Sequence, residues 1–175
     1  ANYYPSFDSI GFTERNLTFN FSHNYLCFNP KAKIWQEVPI KNENVGGKHN
    51  EHFDTLIIDE INELIIIIEA KRLNSSVQFN AIKDDFNRML NKHHLVNDFD
   101  KMKSFKKYGI LLSDIWIPKD NDKTSKKSDL KDKFKLFEAN KRFEFYFKII
   151  DVDISEKENY HLICSTFDLD KIKEM

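Results

Sequence analysis

His52-Phe53-Asp54-Thr55-Leu56-Ile57-Ile58-Asp59-Glu60-Ile61-Asn62-Glu63-Leu64-Ile65-Ile66-Ile67-Ile68-Glu69-Ala70-Lys71 holds two aliphatic runs around a polar break of turn length. Unbroken branched aliphatics such as Leu64 to Ile68 predict a strand buried on both faces. Asp59 to Glu63 reads as the turn of an antiparallel hairpin with strands over 52–59 and 63–72. Side chains alternate along a strand, so Glu69 and Lys71 point to the same side. Burying such a charged pair is costly unless something holds it. A metal ion, a phosphate or a partner carboxylate would serve. With the turn centred near Ile61, Asp54 lands across from Ile68, one residue from Glu69. Two carboxylates and an ammonium then converge at the open end of the hairpin, in a register that a slip of one residue would change. Asp54 tips the reading toward metal or phosphate.

The 175 residues suit one domain, residues 1–175, able to bury most of its apolar surface. Hydrophobic content of 41% with 16 Phe predicts a folded globule, and 31% charged residues keep it soluble. A formal net charge of −1 means that affinity for nucleic acid must come from a local basic patch. Cys27 and Cys164 lie in apolar settings and predict reduced, buried thiols in a cytoplasmic protein. The aliphatic run is far too short for a membrane span, and no basic-then-apolar leader opens the sequence. The expectation is a cytoplasmic protein with no membrane partner.

Leu17, Phe21, Tyr25 and Phe28 fall at helical spacing and predict a helix over 13–28 with Thr13 as its N-cap. The alternation of Leu17 to Ser22 fits a strand as well. Residues 35–40 read as a short edge strand, since Pro39 lacks an amide donor. Residues 42–50, with Gly46-Gly47, read as a loop. After the hairpin, Asn74-Ser75-Ser76 caps a helix to about Asn91 with Phe79, Ile82, Phe86 and Met89 as its stripe. A buried strand over 108–117 follows. Residues 119–135 carry seven lysines against four aspartates and read as a loop, ending in a helix toward Phe137. Phe143 to Ile149 alternates as a strand, with Tyr160 to Phe167 as its antiparallel neighbour. The fold class is α/β (α+β), a mixed sheet with helices on its faces.

Asp54, fourteen intervening residues and Glu69-x-Lys71 on a buried strand resemble the PD-(D/E)XK nuclease superfamily, the restriction-endonuclease-like fold. The resemblance covers residues 12–117. Phe53 stands where the motif's name has proline, a departure common among such proteins. The resemblance implies a mixed β-sheet core flanked by helices, whose antiparallel hairpin carries the active site. It also implies a glutamate near the start of the first helix, where Glu14 stands. The helix dipole alone also favours an acid there.

The activity so implied is metal-dependent hydrolysis of phosphodiester bonds in DNA, in restriction, repair or defence. Asp54, Glu69 and Lys71 would be catalytic. Asp54 and Glu69 would ligate Mg²⁺, or Mn²⁺ in its place, with the Ala70 carbonyl as a third ligand and Glu14 holding a second ion or binding through water. Lys71 would orient the attacking water and offset charge on the phosphoryl group. DNA is the expected partner, and cutting both strands would take a homodimer or a larger defence or repair complex. Two other readings stay open: an inactive nuclease-like domain that binds nucleic acid or protein, and a structural α/β protein in which Glu69 and Lys71 form a strand-end ion pair.

Other candidates carry less chemistry. Arg72 reads as a solvated arginine within reach of a phosphate, and Gln78 and Lys83 as auxiliary polar residues on the following helix. His49-Asn50-Glu51-His52 lacks the H-E-x-x-H helical spacing and reads as a loop or substrate contact rather than a zinc site. His93-His94 fits a helix end and carries no function. Lysines 101, 103, 106 and 107 and the 119–135 segment are candidate phosphate contacts among ordinary solvated surface. With only 4 Gly, and neither a Walker loop nor a dinucleotide fingerprint, the sequence argues against nucleotide-driven activity.

Overall fold

The structure, a computed structural model, describes residues 14–40, 51–73, 76–92, 102–118, 145–152 and 158–171. Among them the order is α1 (Glu14–Phe28), β1 (Lys33–Pro39), β2 (His52–Asp59), β3 (Leu64–Arg72), α2 (Ser76–Lys92), β4 (Lys106–Pro118), β5 (Phe145–Val152) and β6 (Glu158–Asp168). The strands form one six-stranded sheet in the order β1-β2-β3-β4-β6-β5. Only β3 and β4 pair in parallel, Leu64 with Lys106 through Arg72 with Asp114, and α2 is the crossover that such pairing requires. No helix among the described residues is long and apolar enough to cross a membrane.

The unbroken aliphatics of β3 follow from its place. It lies inside the sheet with a helix on each face, so both of its sides are buried. On one face Leu17 of α1 packs with Ile57, Ile66, Ile68, Ala70, Ile110 and Leu112. On the other, Phe79, Ile82, Phe86 and Met89 of α2 pack with Leu56, Ile58, Ile65, Ile67, Leu111, Ile115 and Ile163. The predicted stripe of α2 is therefore the core stripe. Odd positions of β3 face α2 and even positions face α1, which puts Glu69 on the α2 side.

α1 keeps the expected stripe over three of its four residues: Leu17 is buried and Phe21 and Tyr25 pack against the same cluster, while Phe28 is 84% exposed. Thr18 and Ser22 are buried as well, because part of the helix's seat on the sheet is polar. Thr55 Oγ1 donates to Gln36 Oε1 at 2.8 Å, Gln36 Nε2 donates to Ser22 Oγ at 3.3 Å, and Thr18 Oγ1 lies 3.4 Å from Gln36 Oε1. Glu14 stands four residues before Thr18 and so shares the sheet-facing side. Cys27, expected to be buried, is exposed on this helix; Cys164 is half-buried, and burial pushes its thiol up to about 11. β1 is an edge strand ending at Pro39, as expected. Thr13, the 42–50 loop, His93-His94, Lys101, Phe143 and the 119–135 segment lie outside the described residues.

The hairpin exists with a register one residue from that expected. Thr55 pairs with Ile68 and Asp59 with Leu64, around a four-residue turn Glu60–Glu63. Asp59 sets the turn: its Oδ1 accepts from the amides of Ile61 at 3.1 Å and Asn62 at 3.0 Å, and its Oδ2 from Asn62 Nδ2 at 2.7 Å and Tyr25 Oη at 2.9 Å. Burial opposes ionisation of Asp59, but these bonds prevail and hold its carboxyl below the usual range. Glu63 closes the turn with left-handed backbone, φ 53°. The shift centres the turn between Ile61 and Asn62, and continuing the pairing one step past Thr55 sets Asp54 directly opposite Glu69. The slip moves Asp54 onto the face of Glu69 instead of away from it.

Gly109 is where β4 meets Phe167 of β6, its register partner. A Cβ built there overlaps the Phe167 ring, which also packs edge-on against Phe86 with centroids 4.9 Å apart. Gly109→Ala is expected to destabilise the chain by about 1–3 kcal/mol through overpacking, read as a lower urea midpoint. Phe167→Leu in the same chain should recover part of that loss.

Candidate functional site

Three elements meet at the C-terminal end of β3. The β2–β3 ladder ends at Thr55 and Ile68, and just beyond it the amide of Ala70 donates to Asp54 Oδ2 at 2.8 Å. The carboxylate thus takes the place of a main-chain acceptor, which fixes Asp54 beside β3. On the outer side of β2, the ladder to β1 skips the step at which Glu37, with φ 53°, faces Asp54.

Glu69 is 1% exposed and turned toward α2. There Arg88 meets it: Nη2 lies 2.7 Å and Nε 3.2 Å from the same oxygen, Oε1. The same Nη2 lies 2.8 Å from Asp85 Oδ1. Lys71 reaches the other way, with Nζ 3.4 Å from Glu14 Oε2 and 3.8 Å from Asp85 Oδ2. Asp54, Glu69, Lys71 and Glu14 therefore belong to one cluster, as the sequence predicts, and Asp85 and Arg88 complete it. Four carboxylates stand against two cations.

Burial, with Asp54 and Asp85 nearby, pushes the Glu69 carboxyl up to about 9 despite Arg88. Burial also raises Asp85, against the pull of Arg88 and Lys71. Burial opposes the charge on Lys71, but Asp85 and Glu14 outweigh it and raise its pKa, so the side chain is held as an ammonium. That suits a charge-stabilising role better than general-base work. Among the described residues no group of three His, Cys, Asp or Glu side chains is arranged to hold a metal ion. Between Glu69 and Asp85 lies the guanidinium of Arg88.

Asp85 and Arg88 escaped the sequence reading, although one signal was present. Asp85 follows Ile82 by three residues and precedes Met89 by four, so it stands on the apolar stripe of α2, where a carboxylate needs a reason. Arg88, three residues on, is its helical neighbour. Lys83, expected as an auxiliary, lies exposed over the Phe79 ring at 5.2 Å, and Gln78 is half-buried one turn before Ile82.

Arg72 is not a solvated arginine. It holds the buried Asp114 of β4 through Nη2 at 3.2 Å and Nε at 3.4 Å. Of the lysines proposed for phosphate contact, Lys107 is 6% exposed, and its amide and ammonium bind Asp170. Lys106 pairs with Leu64, seven residues and about 23 Å of strand from Lys71. Lys103, Lys106 and Lys107 thus serve the far end of the sheet. His52 lies at the start of β2, with Nε2 2.7 Å from Glu37 Oε2, and His49 is outside the described residues.

No family model, no curated protein and no solved structure matches this chain.

The raised Glu69 carboxyl makes stability depend on pH. The folded chain holds that proton up to about pH 9, while an unfolded chain loses it near 4.5. Between the two the folded state binds more protons, so stability falls as pH rises, by at most about 1.4 kcal/mol per pH unit. Glu69→Gln, which cannot ionise, should flatten that slope. Denaturant midpoints in metal-free buffer at about pH 6 and about pH 8.5 check this; equal slopes would mean that Glu69 titrates in the ordinary carboxylate range.

Proposed function

We propose that this chain is a metal-dependent nuclease that hydrolyses phosphodiester bonds in DNA, built on a restriction-endonuclease-like sheet. The observation that carries the reading is the meeting of Asp54, Glu69 and Lys71 at one sheet end, with Glu14 across from Lys71 at 3.4 Å. The antiparallel hairpin, the crossover helix α2 and the parallel strand β4 support the fold expectation, and the comparisons contribute nothing in either direction.

The donors suit a hard divalent cation such as Mg²⁺ in type, since the side chains are all carboxylates. Asp54 and Glu69 would be its ligands, with the Ala70 carbonyl beside them and Glu14 through water or at a second ion. When bound, the ion supplies an acidified water and charge stabilisation on the phosphoryl oxygens. Lys71, held as an ammonium, binds a phosphoryl oxygen and orients the attacking water. Arg72 is committed to Asp114 and serves the sheet, not the substrate. Cutting both strands takes two such sites, hence a homodimer or a larger defence or repair complex, in the cytoplasm.

A second reading has one observation in its favour. Arg88 already neutralises Glu69, as it would in a nuclease-like domain that binds nucleic acid or protein without cutting. Cleavage separates the two. The nuclease reading expects Mg²⁺- or Mn²⁺-dependent cleavage of plasmid or oligonucleotide DNA, reduced about a hundredfold or more in Glu69→Ala and in Lys71→Ala. Far-UV circular dichroism should show both variants folded. Binding of DNA that neither metal nor these substitutions affects would instead establish the non-catalytic module.

A further inference from the structure

The ion pair at Glu69 has an uneven build. Arg88 brings two nitrogens to one oxygen of Glu69 and shares Nη2 with Asp85. A guanidinium matched to a single carboxylate sets two nitrogens against two oxygens. Here one cation is stretched over two acids, doing the work of an ion with higher charge. Exposure is uneven too: the Glu69 side chain is 1% exposed and that of Arg88 25%. The guanidinium can therefore swing toward solvent without disturbing the core, whereas the carboxylate cannot.

Leaving has a condition. Without Arg88, Glu69 and Asp85 stand buried with Lys71 as the remaining cation of the cluster, and a buried carboxylate stripped of its partner is costly to keep ionised. Either a proton or another cation has to compensate as the guanidinium goes. A divalent ion held by Asp54 and Glu69 sets its charge beside the guanidinium on Glu69 Oε1, so the two cations repel and compete for that carboxylate.

We infer that Arg88 is the resident counter-cation of the Glu69–Asp85 pair: a divalent ion displaces it, and the freed guanidinium pairs with a nucleic-acid phosphate. This rests on the reading of the cluster as an ion site and adds its regulation. The consequence is coupling. Metal releases the arginine that phosphate needs, and phosphate holds the arginine away from the acids that metal needs, so each strengthens binding of the other by the same factor. The free protein then keeps its acids compensated and binds metal weakly until nucleic acid is present.

The test is Mn²⁺ binding to the full chain, followed by calorimetry and by loss of the free-ion electron paramagnetic resonance signal. Arg88→Met keeps the length and removes the charge; Arg88→Gln also keeps a donor. Without nucleic acid, both variants should bind Mn²⁺ about ten- to a hundredfold more tightly than the parent, the range of one charge-assisted hydrogen bond. A short phosphorothioate DNA that resists cleavage should tighten Mn²⁺ binding in the parent and leave it unchanged in Arg88→Met. Equal or weaker binding by the variants overturns the inference; if the parent still binds Mn²⁺ and cuts DNA, the nuclease reading survives that result. Tighter binding by the variants with no cleavage by the parent keeps the displacement and removes the nuclease. No Mn²⁺ binding by any form removes both. Should Arg88→Met unfold in chelator, recovery of its fold by Mn²⁺ supports the exchange of one cation for another. A variant that stays unfolded in both conditions overturns it.

Discussion

A carboxylate that is 1% exposed at the end of a central strand is the constraint on which the rest of this structure depends. Glu69 cannot be left uncompensated there, and three neighbouring elements are shaped by that demand. α2 turns Arg88 and Asp85 inward beside its apolar stripe. β2 stops pairing with β3 at Thr55, and Asp54 takes the Ala70 amide in place of a ladder bond. α1 starts with Glu14 above Lys71, which keeps that ammonium charged next to the acids. A structure built for stability alone would fill this place with apolar residues, as the two clusters on either side do.

The opposite end of the sheet is settled by different means. Asp59 is equally buried, but it is satisfied by two turn amides, Asn62 and the Tyr25 hydroxyl, all neutral donors. Its carboxyl is held below the ordinary range, while that of Glu69 is pushed far above it. Hydrogen bonds aimed at the charged form hold Asp59 ionised, whereas at Glu69 burial, with Asp54 and Asp85 nearby, outweighs Arg88. Lys107 with Asp170, and Arg72 with Asp114, tie strands and turns together in pairs.

Much of the architecture was legible because its signals are periodic and local. The aliphatic run Leu64 to Ile68 shows a strand buried on both faces, and Phe79, Ile82, Phe86 and Met89 show the core face of α2, since burial imposes those spacings. The site was half legible: Asp54, Glu69, Lys71 and Glu14 stood out as charges placed against apolar surroundings. On α1 the apolar stripe showed Leu17, Phe21 and Tyr25 but missed the polar part of its seat, Thr18, Ser22, Gln36 and Thr55, which a hydrophobic pattern does not register. Phe28 and Cys27, at the end of that helix, are exposed.

By itself, the sequence determined which segments form strands and helices, that β3 is buried on both faces, and that acids and a lysine stand at its end. These follow from side-chain periodicity and from the cost of burying charge, both properties of local sequence. Only the tertiary structure decided the partners. The hairpin register depends on the four-residue turn held by Asp59, and one residue of difference moved Asp54 opposite Glu69. The arrival of Arg88 and Asp85 depends on how α2 crosses β3, and the loss of Arg72 to Asp114 on which strand lies beside it. Distances across elements are set by packing, which no single segment encodes.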